Sequence, residues 1–438
     1  MTKNGTISHF VTPAKAGVQA SHGFFNGLLS RRMFQLKLMR SRLVRASLLC
    51  LVAGGFIVGT VGLWKGSPVA GEAPGSSSDL SNAGPQDDSA QTEAALRKAD
   101  LERQLDLLKR ELESAGGWEK WRNKVKPFNE DLAGIRDRLK QSGLIAYKGL
   151  RGNLFSSFDF RYHLAKSFLY LDGESKTGKY SPPYKVIVDL AKQLKKRNID
   201  LIFIPVPPKS EVCPETLSES NPADVSVSPQ RKEFMLGLLK ADVEVVDLLP
   251  GFLEERKRTG NLLMLEVDTH WNSEGIANAA KQIASRLKRY RFIRDMSPSE
   301  KETYSVRRIT VRRTSTLVKY MSKEEAALYP SSEWTVDQVL SRNGRPYKDI
   351  PDSPVLLIGD SFAGFFSKES GWITAHIAKE IGIPLSLQST GAGGPSVPRT
   401  LARKGRDYVN KRRVIIWLMV SRYLIPGRFS EWRSVKLP

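Results

Sequence analysis

Four short apolar runs punctuate the chain. They are Ile199–Ile204, Val243–Leu248, Val355–Ile358 and Val414–Val420. Each has the length of a strand, and the first and last are rich in β-branched residues, as buried strands are. Between them the apolar positions take a helical period. Ile187, Leu190, Ala191 and Leu194 form one stripe, and Ile276, Ala280, Ile283, Ala284 and Leu287 form a second. A further helical pattern is predicted from Gly364 to Glu380. Strands alternating with helices predict an α/β domain with a mostly parallel sheet, whose chemistry sits at the carboxyl ends of the strands. Pro205-Val206-Pro207-Pro208 is expected to end the first strand, because proline removes ladder donors. Residues 289–350 read as basic, polar and irregular, an insertion or cap.

The amino-terminal part follows another pattern. Ala46–Trp64 is a run of 19 uncharged residues bracketed by Arg45 and Lys65. A membrane-spanning helix needs ~20 such residues. Arg31, Arg32, Lys37, Arg40, Arg42 and Arg45 precede it, which predicts a cytoplasmic amino terminus and an exported remainder. The alternative is a cleaved signal peptide, but its apolar core is usually ~7–15 residues. Residues 66–92 have the Gly, Ser, Pro and Asp content of a spacer. Residues 93–115 turn helical, with Leu101, Leu105, Leu108 and Leu112 in a 4-3-4 seam that suits either a short coiled coil or a helix packed on its own domain. The expected organisation is a basic cytoplasmic segment at 1–45, an anchor at 46–64, a linker and helical stalk at 65–117, and one domain at 118–438 with the basic insertion at 289–350.

Composition narrows the partners. The 438 residues carry 68 Lys and Arg against 46 Asp and Glu, a net charge of +22. That balance suits an anionic partner. Export places most of these charges outside the cytoplasm, which argues against nucleic acid. The two cysteines, Cys50 and Cys213, exclude a disulfide scaffold, and the five histidines form no HxH or HxxxH pair that would suggest a metal site. No cofactor is implied.

Two motifs carry candidate chemistry. Gly359-Asp360-Ser361-Phe362 directly follows the run Val355–Ile358 and precedes helical pattern. A serine at such a turn faces the carboxyl edge of the sheet, glycine before it permits a sharp turn, and its own amide can serve an oxyanion. The plain reading is a helix cap at Asp360 or Ser361. Asp268-Thr269-His270-Trp271 lies just before a helix that Asn272 is placed to cap. In extended chain Asp268 and His270 share a face, so the carboxylate reaches the imidazole. Alone this is equally a surface Asp-His pair. Together the motifs supply nucleophile, base and orienter. The other histidines compete poorly. His9 and His22 precede the anchor, His163 has no neighbouring acid, and His376 sits among Ile373, Ile377 and Ile381 in helical pattern.

With these motifs in place, the chain over roughly residues 145–425 resembles the SGNH-hydrolase-like domain of the alginate O-acetyltransferase family. Gly152-Asn153-Leu154-Phe155, Ile204-Pro205-Val206-Pro207-Pro208-Lys209, Gly393-Gly394-Pro395 through Arg399, and Arg422-Tyr423-Leu424 support the likeness. The resemblance implies a three-layer α/β fold with Ser361 as nucleophile, His270 as base and Asp268 as its partner. It also implies Arg399 and Tyr423 as residues lining the substrate site. Its function would be transfer of acetyl to hydroxyls of an exopolysaccharide in the periplasm, from an inner-membrane anchor. A multi-pass membrane acyltransferase would supply the acetyl group. The segment Ile416–Arg422 departs from the family in lacking acids before the Arg-Tyr pair, which bears on acceptor binding. An exported carbohydrate esterase with the same triad, or a non-catalytic polysaccharide-binding assembly protein, are the alternatives.

Overall fold

The computed structural model describes residues 88–169, 180–391, 393–425 and 431–438, with side chains from residue 92 onward. The basic segment, the expected anchor at 46–64 and the spacer before residue 88 lie outside the described residues. Among the described residues no helix is long and apolar enough to cross a membrane. Those residues belong to the unit Ala83–Pro438.

The chain enters through α1 (Asp88–Ser114), α2 (Trp118–Lys124) and α3 (Lys126–Ser142). Leu101 and Leu108 of α1 are buried against the domain, with Leu105 partly buried beside them. The leucine seam therefore packs on its own chain. A two-stranded pair follows, β1 (Ala146–Lys148) and β2 (Leu154–Ser156), then α4 (Ser157–His163). Next come α5 (Pro183–Lys195), β3 (Asp200–Val206), α6 (Pro229–Lys240), β4 (Glu244–Val245), α7 (Leu249–Thr259) and α8 (Ser273–Leu287). β5 (Tyr304–Arg313) and β6 (Ser332–Ser341) form an antiparallel ribbon. The last elements are β7 (Val355–Gly359), α9 (Ile373–Ile381), β8 (Ser386–Ser389), α10 (Val397–Arg403) and β9 (Val414–Val420).

Five strands make one sheet in the order β4-β3-β9-β7-β8, every pair parallel. Alternation along each strand sorts side chains to two faces. Ile202, Ile204, Leu357, Ile416 and Leu418 face α7, α8 and α9. Leu201, Phe203, Leu356, Ile358, Ile415 and Trp417 face α1, α5, α6 and α10. The result is the three-layer α/β arrangement expected, built on one parallel sheet. All seven residues of β9 are buried, which is why its sequence is an unbroken apolar run.

Four expectations are corrected. β3 runs through Pro205 to Val206, which pair with Met419 and Val420. The Phe203 carbonyl accepts from Val246 N–H on the β4 side, so the nitrogen of Pro205 points to that same side, beyond the end of β4, and no ladder bond is lost. The expected strand Val243–Leu248 shortens to Glu244–Val245. The helix predicted from Gly364 is broken: Phe366 and Ser370 take left-handed backbone, at φ 64° and 56°, and α9 starts only at Ile373. The segment 289–350 is not irregular, since it holds the β5–β6 ribbon. Arg308 of β5 lies opposite Asp337 and Arg312 opposite Glu333, and the two pairs form ion pairs at 3.0 Å.

Candidate active site

Ser361 opens a single helical turn, Ser361–Gly364, at the carboxyl end of β7. Asp360 builds that turn. One carboxylate oxygen accepts from Phe362 N–H at 2.9 Å and the other from Val420 N–H at 2.8 Å, tying the serine turn to the end of β9. Asp360 is fully buried, and burial raises its pKa above the usual carboxylate value. Gly359 is needed for close approach rather than for a special φ: a Cβ there would stand 2.4 Å from the Leu418 carbonyl oxygen and 2.8 Å from the Ala363 Cβ.

Asp268 and His270 sit in a turn and not in extended chain. Met264 and Trp271 form an antiparallel bridge, Leu265 N–H donates to His270 C=O at 2.9 Å, and Asn272 N–H donates to Leu263 C=O. Asn272 caps α8 by accepting from Gly275 N–H at 2.9 Å, as its position implied. Within the turn, Asp268 Oδ1 accepts from Thr269 N–H at 2.7 Å and lies 2.6 Å from His270 Nδ1. Its Oδ2 accepts from Ser315 Oγ at 3.0 Å and Thr316 N–H at 3.2 Å. Burial opposes the charge on Asp268. The hydrogen bond and charge of His270, with the donors of Thr316 and Ser315, outweigh it and hold the carboxyl well below the usual range. An ionised carboxylate only accepts, so Nδ1 of His270 carries its hydrogen and Nε2 is left to accept. That Nε2 is 2.9 Å from Ser361 Oγ. Phe365 stacks on the imidazole at 4.1 Å between ring centres and 8° between planes, and Phe362 packs beside it at 4.8 Å.

The three residues expected to act together are thus adjacent. The remaining two have other partners. Arg399, on α10, pairs with Glu431 at 3.5 Å, and the Tyr423 ring lies 5.6 Å from the Arg422 guanidinium. Tyr423, beyond the end of β9, packs against the apolar cores on both sides of the sheet, and burial raises its phenol pKa. The Ser361 amide, expected to be open to an oxyanion, donates to Gly391 C=O at 2.9 Å. The cause is local: Thr390 N–H bonds Gly359 C=O, continuing the β7–β8 ladder and bringing the next carbonyl over the serine.

Arg422, the first residue of Arg422-Tyr423-Leu424, also reaches the site. Its guanidinium reaches Thr269 Oγ1 and Asp159, both at 3.2 Å, so it touches the turn between Asp268 and His270. The two other histidines of the described residues lie in the core. His163 lies between Ser210 and Ser228, and burial lowers its pKa to about 3. His376 faces the Asp337 carbonyl, and burial lowers its pKa to about 4. Among the described residues no group of three His, Cys, Asp or Glu is placed to hold a metal ion.

Comparison with known proteins agrees with this architecture. Residues 169–419 match the family described as SGNH hydrolase-like domain, acetyltransferase AlgX. A probable alginate O-acetylase AlgJ of Pseudomonas fluorescens is 24% identical over 251 residues, which cover 55% of this chain and 61% of that protein. The Azotobacter vinelandii protein of the same name is 23% identical over 287 residues, 62% of this chain and 67% of that one. The chain thus spans about three fifths of the length of the first of these relatives. Among solved structures, the O-acetyltransferase domain of Pseudomonas putida AlgJ aligns with TM-score 0.49 and 19% identity, covering 64% of this chain and 93% of that domain. Because the matched segment takes in more than half of the 438 residues, the chain belongs to the family of the SGNH hydrolase-like domain, acetyltransferase AlgX.

Proposed function

We propose that the protein is an O-acetyltransferase that acetylates hydroxyls of an exopolysaccharide through an acetyl-serine intermediate. The observation that carries this reading is His270 held between Asp268, at 2.6 Å, and Ser361, at 2.9 Å. In the first step Ser361 Oγ bonds to the acetyl carbonyl carbon while its proton passes to His270 Nε2. The donor's leaving group then departs with that proton. In the second step a sugar hydroxyl attacks the acetyl carbon and gives its proton to His270. The tetrahedral species expels Ser361 Oγ, which takes the proton back. Asp268 fixes the imidazole tautomer and stabilises the imidazolium formed in each half.

Ala46–Trp64 is proposed as a single-pass inner-membrane anchor that leaves the catalytic domain in the periplasm, beside a multi-pass acyltransferase that supplies the acetyl group. The net charge of +22 favours an anionic acceptor, and the relatives named for alginate point the same way. Two measurements test the reading. Protease added to intact spheroplasts should degrade the chain beyond residue 65, and full protection would sink the topology. Cells carrying Ser361→Ala should secrete polymer without the acetyl groups of the wild type. Unchanged acetylation would leave a non-catalytic assembly role, and acetate release without polymer acetylation would make the protein an esterase.

A further inference from the structure

Lys209 follows β3 and its prolines, and none of its surface meets solvent. Its Nζ donates to three backbone carbonyls: Leu154 at 3.2 Å, Leu265 at 2.8 Å, and Glu266. An ammonium has three donors and no acceptor, so its hydrogen-bonding capacity is fully used. The Phe155 ring closes the remaining side, 4.9 Å from Nζ. Two of the three carbonyls belong to the turn that carries Asp268 and His270, and the third belongs to β2. Leu154 N–H also donates to the Glu266 carbonyl at 2.8 Å, so β2 and the turn are joined at one point. Burying an ammonium is costly, and an apolar chain of equal length would fill the same space without that cost. What the apolar chain would not do is hold the carbonyls of residues 265 and 266.

We infer that Lys209 is a positioning residue for acyl transfer: its ammonium pins the 264–271 turn to β2, so that Asp268 holds His270 toward Ser361. The inference rests on the roles proposed above for those three residues. The titratable groups facing Lys209 are Asp159 from α4, Glu266 and Asp268 from the turn, and Cys213, whose thiol burial pushes up to about 12 and so keeps neutral. His270 in turn faces Asp268 and Asp360. Burial brings the Lys209 pKa down to about 8 against the pull of these acids. Above that value the amine has two hydrogens for three carbonyls. For this group alone, folding stability increases with pH from about 8 toward the ordinary lysine value, because the unfolded chain keeps the proton longer. A loss of rate in that interval therefore reports placement and not unfolding.

The test uses the full chain and two readouts. One is the downfield proton resonance of the His270–Asp268 hydrogen bond, and the other is single-turnover acylation by 4-nitrophenyl acetate. Lys209→Met, shown to be folded by circular dichroism, should lose or shift that resonance and acylate about 10²-fold more slowly, the loss expected from small misplacement of a catalytic group. Wild-type resonance and rate in the folded variant would overturn the inference. If the variant does not fold, wild-type protein decides: its rate should fall about ten-fold as the Lys209 amine loses its proton between about 8 and the ordinary lysine value, with its circular dichroism unchanged. A rate flat over that whole interval would overturn the inference. Failure of the serine assignment is separable, because the resonance reports the turn whether or not Ser361 is acylated.

Discussion

Ser361 Oγ and His270 Nε2 meet at 2.9 Å although 91 positions separate them in the chain. The sheet brings this about. β7 delivers the serine at its carboxyl end, and the turn before α8 delivers the histidine over the same edge, where open α/β sheets bind their ligands. Phe362 and Phe365 then pack on the imidazole and limit its rotation.

Asp268→Asn tests the orienting carboxylate. Asparagine keeps the shape but only one acceptor oxygen, and Thr269 N–H and Thr316 N–H bond different carboxylate oxygens, so the variant should be folded but less stable. The tautomer of His270 is no longer fixed, and acylation by an activated acetyl ester should fall about 10³-fold or more. A variant with most of its rate would make Asp268–His270 a structural pair.

Acid stability should depend on His163. The unfolded side chain takes up a proton near 6.5, but the folded one resists until about 3 because it is buried. Its contribution is therefore complete above the unfolded value and is lost as pH falls from there toward about 3. His376, lowered to about 4 by burial, contributes in the same direction. The melting temperature of the wild type should drop between pH 7 and 4, and His163→Gln should flatten that slope. An unchanged slope in the variant would assign the acid sensitivity elsewhere.

Legibility in the sequence followed the range of the interactions. β9 could be read because a central parallel strand is apolar along its whole length. Ser386–Ser389 was missed because β8 is an edge strand paired only with β7, and Ser-Leu-Gln-Ser carries little apolar signal. Arginines at 307, 308, 312 and 313 hid the partly buried Ile309 and Val311 of the β5–β6 ribbon, whose ion pairs are visible only once the register is known. The Asp268–His270 pair was readable because a single residue, Thr269, separates its members. Arg422 and Asp159 are 263 positions apart, and no local pattern announces their contact. The Lys209 clamp acts on carbonyls, which leave no trace in side-chain identity.

Arg399 separates acceptor binding from chemistry. It sits a third exposed beside Glu431. If it binds the polymer, Arg399→Ala should weaken transfer to polysaccharide while leaving acylation by a small activated ester nearly intact. Equal losses in the two assays would make it a structural cation.

Covalent capture tests the central claim most directly. The full chain is mixed with an activated acetyl ester, quenched in acid, digested and mapped by mass spectrometry. The account predicts acetyl on the peptide carrying Ser361, and acylation slowed about 10³-fold or more in Ser361→Ala, because triad members act as a unit. Acetyl on another residue, or a wild-type rate in Ser361→Ala, would contradict it.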